Sequence, residues 1–270
     1  MKKTLFVIIT LLLMSSILFA GSRRDSGSMT IRQGVLTIGI EIGYPPMEYY
    51  GPDGVTPMGF DIEMGKAIAE KLGLRAEFVD TAWDGIFAGV ETGRYDVIIS
   101  SVTITPARLV THNFSKPYLA NSLAMVVMRG SSVTARSPYE CTGLDIAFQA
   151  DTTSDFFMQN LANETGLRYN PRRYEKVMSC FDELRLGRVD AIITDLIVAN
   201  DYIAWTNNPY EVVWISPEPE IFGICIKNGN DALTDAINKA LEELFDDGTM
   251  QRISMRFFDM DFVTAARQLW

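Results

Sequence analysis

A cluster of hydroxyl groups and one arginine follows an apolar run near the middle of the chain. Val97, Ile98 and Ile99 are typical of a parallel strand covered on both faces, and open α/β sheets bind ligands in the loop after such a strand. The polar residues of this loop are Ser100, Ser101, Thr103, Thr105 and Arg108. Hydroxyls both donate and accept hydrogen bonds, and a guanidinium can hold a carboxylate with two parallel bonds, so the pattern indicates a site for a small anion-bearing molecule. The alternative is a polar loop whose hydroxyls serve turns and caps, with Arg108 facing solvent.

Other chemistries find little support in the sequence. The single histidine, His112, has no nearby cysteine or paired carboxylate, so we expect a surface histidine rather than part of a Ser-His or Cys-His catalytic arrangement. Neither G-x-G-x-x-G after a strand nor G-x-x-x-x-G-K-[ST] occurs, so nucleotide binding lacks its phosphate-binding loop. No spacing typical of metal ligands occurs. We therefore expect a protein that is not an enzyme and carries no cofactor.

The chain begins with a pattern typical of a secretory signal peptide, residues 1–22. Lys2 and Lys3 precede an apolar run from Leu5 to Ala20, and two small residues follow it. At about 16 residues the run is shorter than most membrane spans, so cleavage is favoured over an uncleaved anchor. No cysteine that could accept a lipid stands directly after the run. The pattern predicts soluble export to the periplasm or another extracytoplasmic space.

Charge and cysteine content narrow the class of protein further. The formal net charge is −10, and removing residues 1–22 would take away two lysines and no acids, giving −12. An acidic protein has no electrostatic basis for binding nucleic acid or an anionic membrane surface. The three cysteines, Cys141, Cys180 and Cys225, are widely spaced and odd in number. We expect them to be small buried apolar residues, although one disulfide would be compatible with export.

Strand and helix patterns alternate along the first part of the chain. The expected strands are residues 35–40, 76–79 and 97–99. Asp61 should cap the helix after the first strand, and Thr81 with Asp84 should cap the helix after the second. Gly73 and Gly93 should end these helices. The β-α-β-α-β order implies a parallel sheet.

The alternation restarts after a long apolar strand, which predicts a second domain. Further strands are expected at residues 122–128, 144–148, 190–193 and 221–226, and helices at 174–186, 196–205, 231–245 and 248–257. Thr152 with Asp155 should cap one more helix, and Gly187 should end another. Because the chain leaves and re-enters the first domain, we expect a hinge with two crossings.

These boundaries divide the expected mature chain into two α/β lobes with parallel-rich sheets. Residues 23–34 are expected to form a disordered leader. Lobe 1 should comprise residues 35–123 and 221–270. Lobe 2 should comprise residues 124–220, including the hinge crossings.

Several motifs, in this order and spacing, resemble a known family. They are Gly59-Phe60-Asp61 followed by Ala67 to Gly73, Trp83 to Ile86, Gly93 to Asp96, Ser100 to Arg108, and Gly187 to Asp195. Together they resemble the family-3 extracellular solute-binding proteins, bacterial receptors that deliver polar amino acids to importers. The likeness runs from about Val35 to about Phe258. It implies a type II periplasmic binding fold, a free amino acid as ligand, the membrane subunits of an ABC importer as partner, and a monomer.

The resemblance also implies roles for single residues at the head group of the ligand. Positions matching Arg108, Thr103 and Thr153 bind the carboxylate, together with backbone N–H groups at the start of the helix that carries Thr153. Asp195, assisted by Ser101, matches the position that binds the ammonium group. Without the resemblance, an aspartate at such a helix start would be interpreted as a cap.

The remaining implied positions form the walls of the site. Tyr44 and Trp83 match positions that flank the ligand, where aromatic rings can stack or make cation–π contacts, although either could instead be core. Glu41 and Ser100 would meet the outer end of the ligand's side chain. Asp151 departs from the family pattern, because many relatives have glycine there, and we expect it to act as an extra cap.

These positions lead to an expected ligand and to two alternatives. An acid beside an aromatic face suits a basic side chain, so arginine, lysine, ornithine or histidine is expected first and glutamine second. One alternative is a cyclohexadienyl-dehydratase-like enzyme on the same fold, which would replace the ammonium-binding acid with a general acid. The other is a ligand-sensing subunit of a separate receptor.

Overall fold

The structure, a computed structural model, describes residues 29–204 and 209–270 of the chain. The predicted signal peptide, the first half of the predicted leader (residues 23–28) and Trp205, the predicted end of a helix, lie outside the described residues. The described residues form two five-stranded sheets and a two-stranded ribbon. In this part of the chain, none of the helices combines the length and the apolar character needed to cross a membrane.

In the first sheet, four strands run in one direction and one strand, β12, runs in the opposite direction. Its strands, in spatial order, are β4 (Arg75–Asp80), β1 (Val35–Ile40), β5 (Val97–Ile98), β12 (Cys225–Lys227) and β6 (His112–Phe114). β1 runs parallel to β4 and β5, whereas β12 runs antiparallel to β5 and β6. β1 is buried from Leu36 to Ile40, because helices cover both faces of the sheet. The predicted parallel sheet is therefore confirmed.

Five helices in the described part of the chain surround this sheet. They are α1 (Phe60–Lys71), α2 (Trp83–Thr92), α3 (Pro106–Thr111), α7 (Asp231–Asp246) and α8 (Thr249–Phe258), and the ribbon of β2 (Tyr49–Tyr50) and β3 (Pro57–Met58) precedes α1. Gly73 follows the end of α1 and Gly93 caps α2, with left-handed φ angles of 67° and 75°. Both helix ends agree with the sequence prediction.

The predicted caps of α1 and α2 are wrong for a common physical reason. Gly59 occupies the cap position of α1 with φ 128°, and Asp61 lies inside the first turn, where its carboxylate accepts the backbone N–H of Ser101. Thr81 donates its backbone N–H to the carbonyl of Ile40, which extends the pairing of β4 and leaves Ala82 as the cap of α2. In both cases a tertiary contact takes the polar residue away from the helix terminus.

The second sheet repeats this mixed arrangement. Its strands, in spatial order, are β11 (Tyr210–Phe222), β7 (Leu119–Met128), β10 (Ala191–Asp195), β8 (Asp145–Gln149) and β9 (Asn170–Tyr174). β8 runs parallel to β9 and β10, and β7 runs antiparallel to β10 and β11. The helices of this lobe are α4 (Thr153–Thr165), α5 (Val177–Arg185) and α6 (Leu196–Ala204), and a 3₁₀ turn spans Pro138–Glu140. A last helix, α9 (Val263–Arg267), packs against β7.

Two predicted elements of this part differ from the structure. The helix expected at 174–186 begins only at Val177, because Asn170–Tyr174 forms the edge strand β9, whose largely exposed polar residues give no strand pattern. The strand expected at 221–226 is divided between the two sheets. Gly223 lies at the division, where an added Cβ would be 2.6 Å from Cδ1 of Ile104, so only glycine fits this close approach.

The chain crosses between the sheets twice. One crossing lies between β6 and β7, at residues 115–118, and the other between β11 and β12, at residues 223–224. β7 pairs with β11 from Leu119 onward, so residues 119–123, which the sequence assigned to lobe 1, belong to the second sheet. The same pairing places Phe222 in the second sheet.

Residues 29–34 lie against the first sheet rather than forming part of a disordered leader. The backbone N–H of Ile31 donates to Oδ1 of Asp96 at 2.6 Å, and the Arg32 guanidinium pairs with Glu77 at 2.6 Å. The other carboxylate oxygen of Asp96 accepts the backbone N–H of Thr37 at 2.8 Å. Asp96 therefore joins this segment to β1, a contact that local composition did not reveal.

The three cysteines are buried and unpaired. Cys141, Cys180 and Cys225 each have no exposed surface and form no disulfide. Cys225 lies in the first lobe, and the other two lie in the second. The expectation of small buried apolar residues is confirmed.

Candidate functional site

A cleft lies between the two lobes, at the carboxyl ends of parallel strands from both sheets. This is the place where open α/β sheets bind ligands. The cleft brings together eight of the residues predicted from the sequence: Glu41, Tyr44, Trp83, Ser100, Ser101, Thr103, Arg108 and Thr153. It is also lined by Glu48, Gln149 and Thr152. Asp195, the ninth predicted residue, reaches the cleft through a contact with Tyr44.

Arg108 is a cation without an anionic partner. Thr105 caps α3 by accepting the Arg108 backbone N–H, which fixes the residue in the first turn. One guanidinium nitrogen donates to the Thr103 carbonyl at 2.9 Å, and the group lies 5.5 and 5.0 Å from the ring centroids of Trp83 and Phe87. Burial lowers the pKa of Arg108, and within residues 29–204 and 209–270 no carboxylate forms an ion pair with it. The remaining guanidinium donors are suited to an anion in the cleft.

Asp195 forms an acidic pair with Glu220 near this arginine. The Tyr44 hydroxyl donates to Asp195 at 2.5 Å and the Asn121 amide donates at 2.7 Å. The Glu220 carboxyl contacts Asp195 and Thr153, and its Oε2 is buried without a hydrogen-bond partner. Burial raises the pKa of Asp195 to about 6, and burial together with the Asp195 charge raises the pKa of Glu220 to about 8. Between these values the pair holds one proton and one negative charge, which suits a cationic group.

Glu220 was not predicted from the sequence. It lies on β11, in a stretch where Pro217 and Pro219 indicated only a return crossing. The register of β11 shifts between Ile215 and Pro219, and after this irregularity Glu220 pairs with Asn121 of β7. Strand pairing between distant segments brings Glu220 to the site, so no local sequence pattern predicts its role.

The serine loop is held by two buried acids of lobe 1. Ser101 has a left-handed φ of 50° and donates its backbone N–H to Asp61 at 2.7 Å. The Ser100 hydroxyl donates to Glu48 at 2.8 Å and accepts the backbone N–H of Glu41 at 3.0 Å. The position of both serines therefore depends on groups beneath the cleft.

Glu41 points inward, as the ligand prediction required, but it is already paired with the second lobe. The Gln149 amide donates to Oε2 at 2.7 Å, and the Lys176 ammonium lies 3.1 Å from Oε1. Burial raises the pKa of Glu41, while Gln149 and Lys176 oppose the shift. Neither partner was predicted from the sequence, because both come from the other lobe.

Tyr44 and Trp83 form part of the cleft wall and also bridge the lobes. Trp83 is 9% exposed, and its indole N–H donates to the carbonyl of Asp151 at 3.1 Å. Asp151 has a left-handed φ of 59°, a conformation that glycine adopts without strain. This explains why glycine suits the same position in relatives. Its side chain is exposed, and Thr152 holds the cap position of α4, so the expected extra cap is not formed.

Two further predictions from the sequence need correction. The Thr152 hydroxyl donates to the Gln149 carbonyl instead of capping α4, and Asp155 accepts the guanidinium of Arg173. His112 is not a surface residue, because only 9% of its side chain is exposed. Its ring packs near Phe87, and its Nε2 lies 3.5 Å from a carboxylate oxygen of Glu91, a neighbour that the sequence analysis did not predict.

Comparisons with known proteins cover most of the chain. The model of the bacterial extracellular solute-binding proteins, family 3, matches residues 36–260. The chain is 31% identical over 229 residues to the L-cystine-binding protein TcyJ of Escherichia coli (strain K12), covering 85% of this chain and 84% of that protein. It also resembles the structure of an ancestral arginine-binding protein bound to arginine, with a TM-score of 0.79, 35% identity, and coverage of 84% and 99%. A structure of an ancestral arginine-binding protein bound to glutamine gives a TM-score of 0.78, 34% identity, and coverage of 85% and 100%.

Proposed function

Because the chain belongs to the bacterial extracellular solute-binding proteins of family 3, we propose that it binds one polar L-amino acid in the cleft and delivers it to an ABC importer. The observation that carries this proposal is the unpaired guanidinium of Arg108 beside the acidic pair of Asp195 and Glu220. A zwitterionic head group presents one carboxylate and one ammonium group about one carbon apart. The cleft offers the opposite charges at one end.

The carboxylate would bind Arg108, the Thr103 hydroxyl, and the N-terminus of α4 at Thr153. The ammonium group would bind Asp195 and Glu220, with Ser101 nearby. A charge-assisted pair at each end, with Tyr44 and Trp83 as walls, is consistent with micromolar binding, which corresponds to about −8 kcal/mol.

The side chain of the ligand would extend toward Glu41. We propose a basic amino acid first and glutamine second, because Glu41 is an inward-facing acid beside Trp83. One observation favours a further candidate, L-cystine. The Glu41–Lys176 ion pair at this end offers both signs of charge, which matches a second zwitterionic head group, and a relative at 31% identity is an L-cystine-binding protein.

Two other functions receive less support. A dehydratase-like enzyme would replace the ammonium-binding acid with a general acid placed over a ring, whereas this chain has Asp195 next to a tyrosine and an asparagine. A sensory role would require a separate receptor subunit. Export to the periplasm as a monomer completes the proposal.

A thermal-shift screen tests the proposed function. Purified protein, unfolded and refolded to remove carried-over ligand, is heated with each of the twenty amino acids, ornithine and L-cystine. Binding to the native state raises Tm by mass action, and a basic amino acid is expected to give the largest increase. The Arg108→Ala variant is expected to keep its fold and lose the response to every amino acid, because the arginine lies on the short helix α3 at the cleft and not in the core.

Each result has a distinct meaning. A largest shift with L-cystine would select the second candidate and assign Lys176 to the ligand. A largest shift with glutamate or aspartate would overturn the basic preference but not the receptor function. A folded Arg108→Ala variant with unchanged affinities in calorimetry would overturn the head-group assignment.

A further inference from the structure

Two carboxyl groups lie beneath the serine loop with almost no exposure. Glu48 is 1% exposed and Asp61 is fully buried. The Asp61 backbone N–H donates to the carbonyl of Met47 at 3.0 Å, which holds the start of α1 against the residue preceding Glu48. The two side chains are in hydrogen-bonding contact. Each also has one oxygen without a donor, Oε2 of Glu48 and Oδ1 of Asp61.

The donors around the two carboxyls are distributed unequally. Oδ2 of Asp61 accepts the Ser101 backbone N–H at 2.7 Å, the Ser101 hydroxyl at 3.3 Å and the Tyr118 hydroxyl at 3.2 Å. Among residues 29–204 and 209–270, the Glu48 carboxyl accepts one donor, the Ser100 hydroxyl at 2.8 Å. Three donors stabilise a carboxylate more than one does, so Asp61 is the better site for the negative charge.

We propose that Glu48 is protonated and donates a hydrogen bond to ionised Asp61, and that this pair acts as positioning residues for Ser100 and Ser101 in the binding cleft. One shared proton satisfies both of the oxygens that lack a donor. Leaving them as two adjacent carboxylates would place two negative charges in a water-excluded site, which is strongly unfavourable. The surroundings agree, because burial raises the pKa of both carboxyls, that of Asp61 to about 7 and that of Glu48 well above its usual range, so Asp61 loses its proton first.

The pair fixes the loop in a conformation that the loop would not adopt alone. Ser101 has φ 50°, which costs about 1 kcal/mol or more for a residue other than glycine, and the bonds to Asp61 offset that cost. The Ser100 hydroxyl connects Glu48 to the backbone of Glu41 at the end of β1. The shared proton therefore helps to hold two segments of lobe 1 at the cleft, the serine loop and the end of β1.

The substitution Glu48→Gln tests the protonation state without using a ligand. A glutamine amide has the shape of the protonated carboxyl and can also donate to Asp61 and accept from Ser100, so we expect a folded protein. The folded pKa of Glu48 lies above its unfolded value, so the contribution of Glu48 to wild-type stability falls as pH rises above about 4.3, whereas the amide of the variant has no proton to lose. The Tm difference, variant minus wild type, is therefore expected to grow by at least about 3 °C between pH 5 and pH 8.

Other titrating groups face this pair and need a control. Glu41 and Tyr118 interact with it, and Glu41 is in turn near Lys176 and Asp80. Asp61 itself also titrates within this range, because burial raises its pKa to about 7. These groups are present in both proteins, so their own contributions largely cancel in the difference. Glu70→Gln, on the exposed face of α1, is the matched control and should show no growing difference. A Glu48→Gln difference that is constant with pH, or that becomes negative, would overturn the proposal.

A second measurement addresses positioning, and it rests on the proposed function. Glu70→Gln, on the exposed face of α1, should bind the amino acid identified for the wild type as the wild type does. Asp61→Asn should bind it at least about tenfold more weakly, because an amide cannot accept all three donors as a carboxylate does. If Asp61→Asn binds as tightly as Glu70→Gln, the positioning role is wrong. If wild type binds no amino acid, only the proposed function fails.

Discussion

Asp195 already binds two donors of the protein, and a third interaction with the ligand would have to compete with them. The Tyr44 hydroxyl and the Asn121 amide hold its two oxygens, while Glu220 lies beside it with a buried unpaired oxygen. This arrangement supports a division of roles in which Asp195 is held in place and Glu220 completes the contact with an ammonium group. Neither acid is close enough to Arg108 to form an ion pair, so the opposite charges remain available.

We predict that Asp195→Asn weakens the binding of α-amino acids at least about tenfold, because a charge-assisted hydrogen bond to the ammonium group contributes about 1.5–3 kcal/mol. Analogues that lack the amino group should lose much less affinity for the variant. Calorimetry with each ligand and its deaminated analogue measures the difference. Asp182→Asn, an exposed aspartate paired with Arg185, serves as the control. Equal losses for both ligand types would reduce Asp195 to a local structural role.

The sequence located the site residues better than it located their partners. Arg108, Asp195 and the serines follow strand ends, and in a parallel sheet that position alone places them at the cleft. Glu48, Gln149, Lys176 and Glu220 are recognised only through contacts between distant segments. The ligand prediction depended on Glu41 as a free acid, and the unrecognised Lys176 changes its charge environment.

The packing of α2 against the first sheet depends on a glycine rather than on an apolar side chain. Gly89 is buried, and the hydroxyl of Tyr95 fills the space beside it, where it donates to the carbonyl of Ile86. An added Cβ at position 89 would lie 2.1 Å from Oη of Tyr95. This contact positions the start of α2, which carries Trp83.

Gly89→Ala is therefore expected to destabilise the protein despite the higher helix propensity of alanine. Propensity favours alanine by about 1 kcal/mol, but inserting a methyl group into a packed contact costs about 1–3 kcal/mol, and a 2.1 Å approach lies at the upper end. Gly85→Ala, on the same helix with nothing within 4 Å, should leave stability unchanged or raise it by up to about 1 kcal/mol. Denaturant unfolding compares the two. Similar effects of both changes would show that Tyr95 moves aside without cost.

Element positions were largely predictable where apolar periodicity is strong and a glycine ends the helix. β1, α1, α2, α7 and α8 agree with the prediction within two residues at each end. Most of β11 was missed, as were the elements β2, β3, β6, β9, α3 and α9. All of these except β11 are short, and the placement of the strands depends on pairing with other segments. The caps failed for the same reason, since Asp61 and Thr81 bind groups outside their own helices.

At the scale of the whole molecule, direct contacts join the lobes across the cleft. They are the Tyr44–Asp195, Trp83–Asp151 and Gln149–Glu41 hydrogen bonds and the contacts of Lys176 with Glu41 and the Ile42 carbonyl. Several of these residues also line the site. Ligand binding and lobe closure therefore use overlapping groups, and any change in one shifts the equilibrium of the other.

We predict that Lys176→Ala opens the ligand-free protein and lowers ligand affinity up to about fivefold, because its partly exposed ion pair contributes at most about 1 kcal/mol to closure. Small-angle scattering should give a larger radius of gyration without ligand and the wild-type value at saturation. Lys66→Ala, which removes an ion pair within lobe 1, should change neither quantity. An unchanged radius together with a loss far above fivefold would place Lys176 in direct contact with the ligand.

Because all three thiols are buried, their chemical modification would report local unfolding of the protein. Burial raises the pKa of Cys141 and Cys225 to about 12, so neither is a reactive thiolate while the fold is intact. A thiol-specific reagent should modify each cysteine only when the surrounding segment unfolds. Cys225 lies in one lobe, and Cys141 and Cys180 lie in the other. The order in which mass spectrometry detects the modified peptides would therefore show which lobe unfolds first.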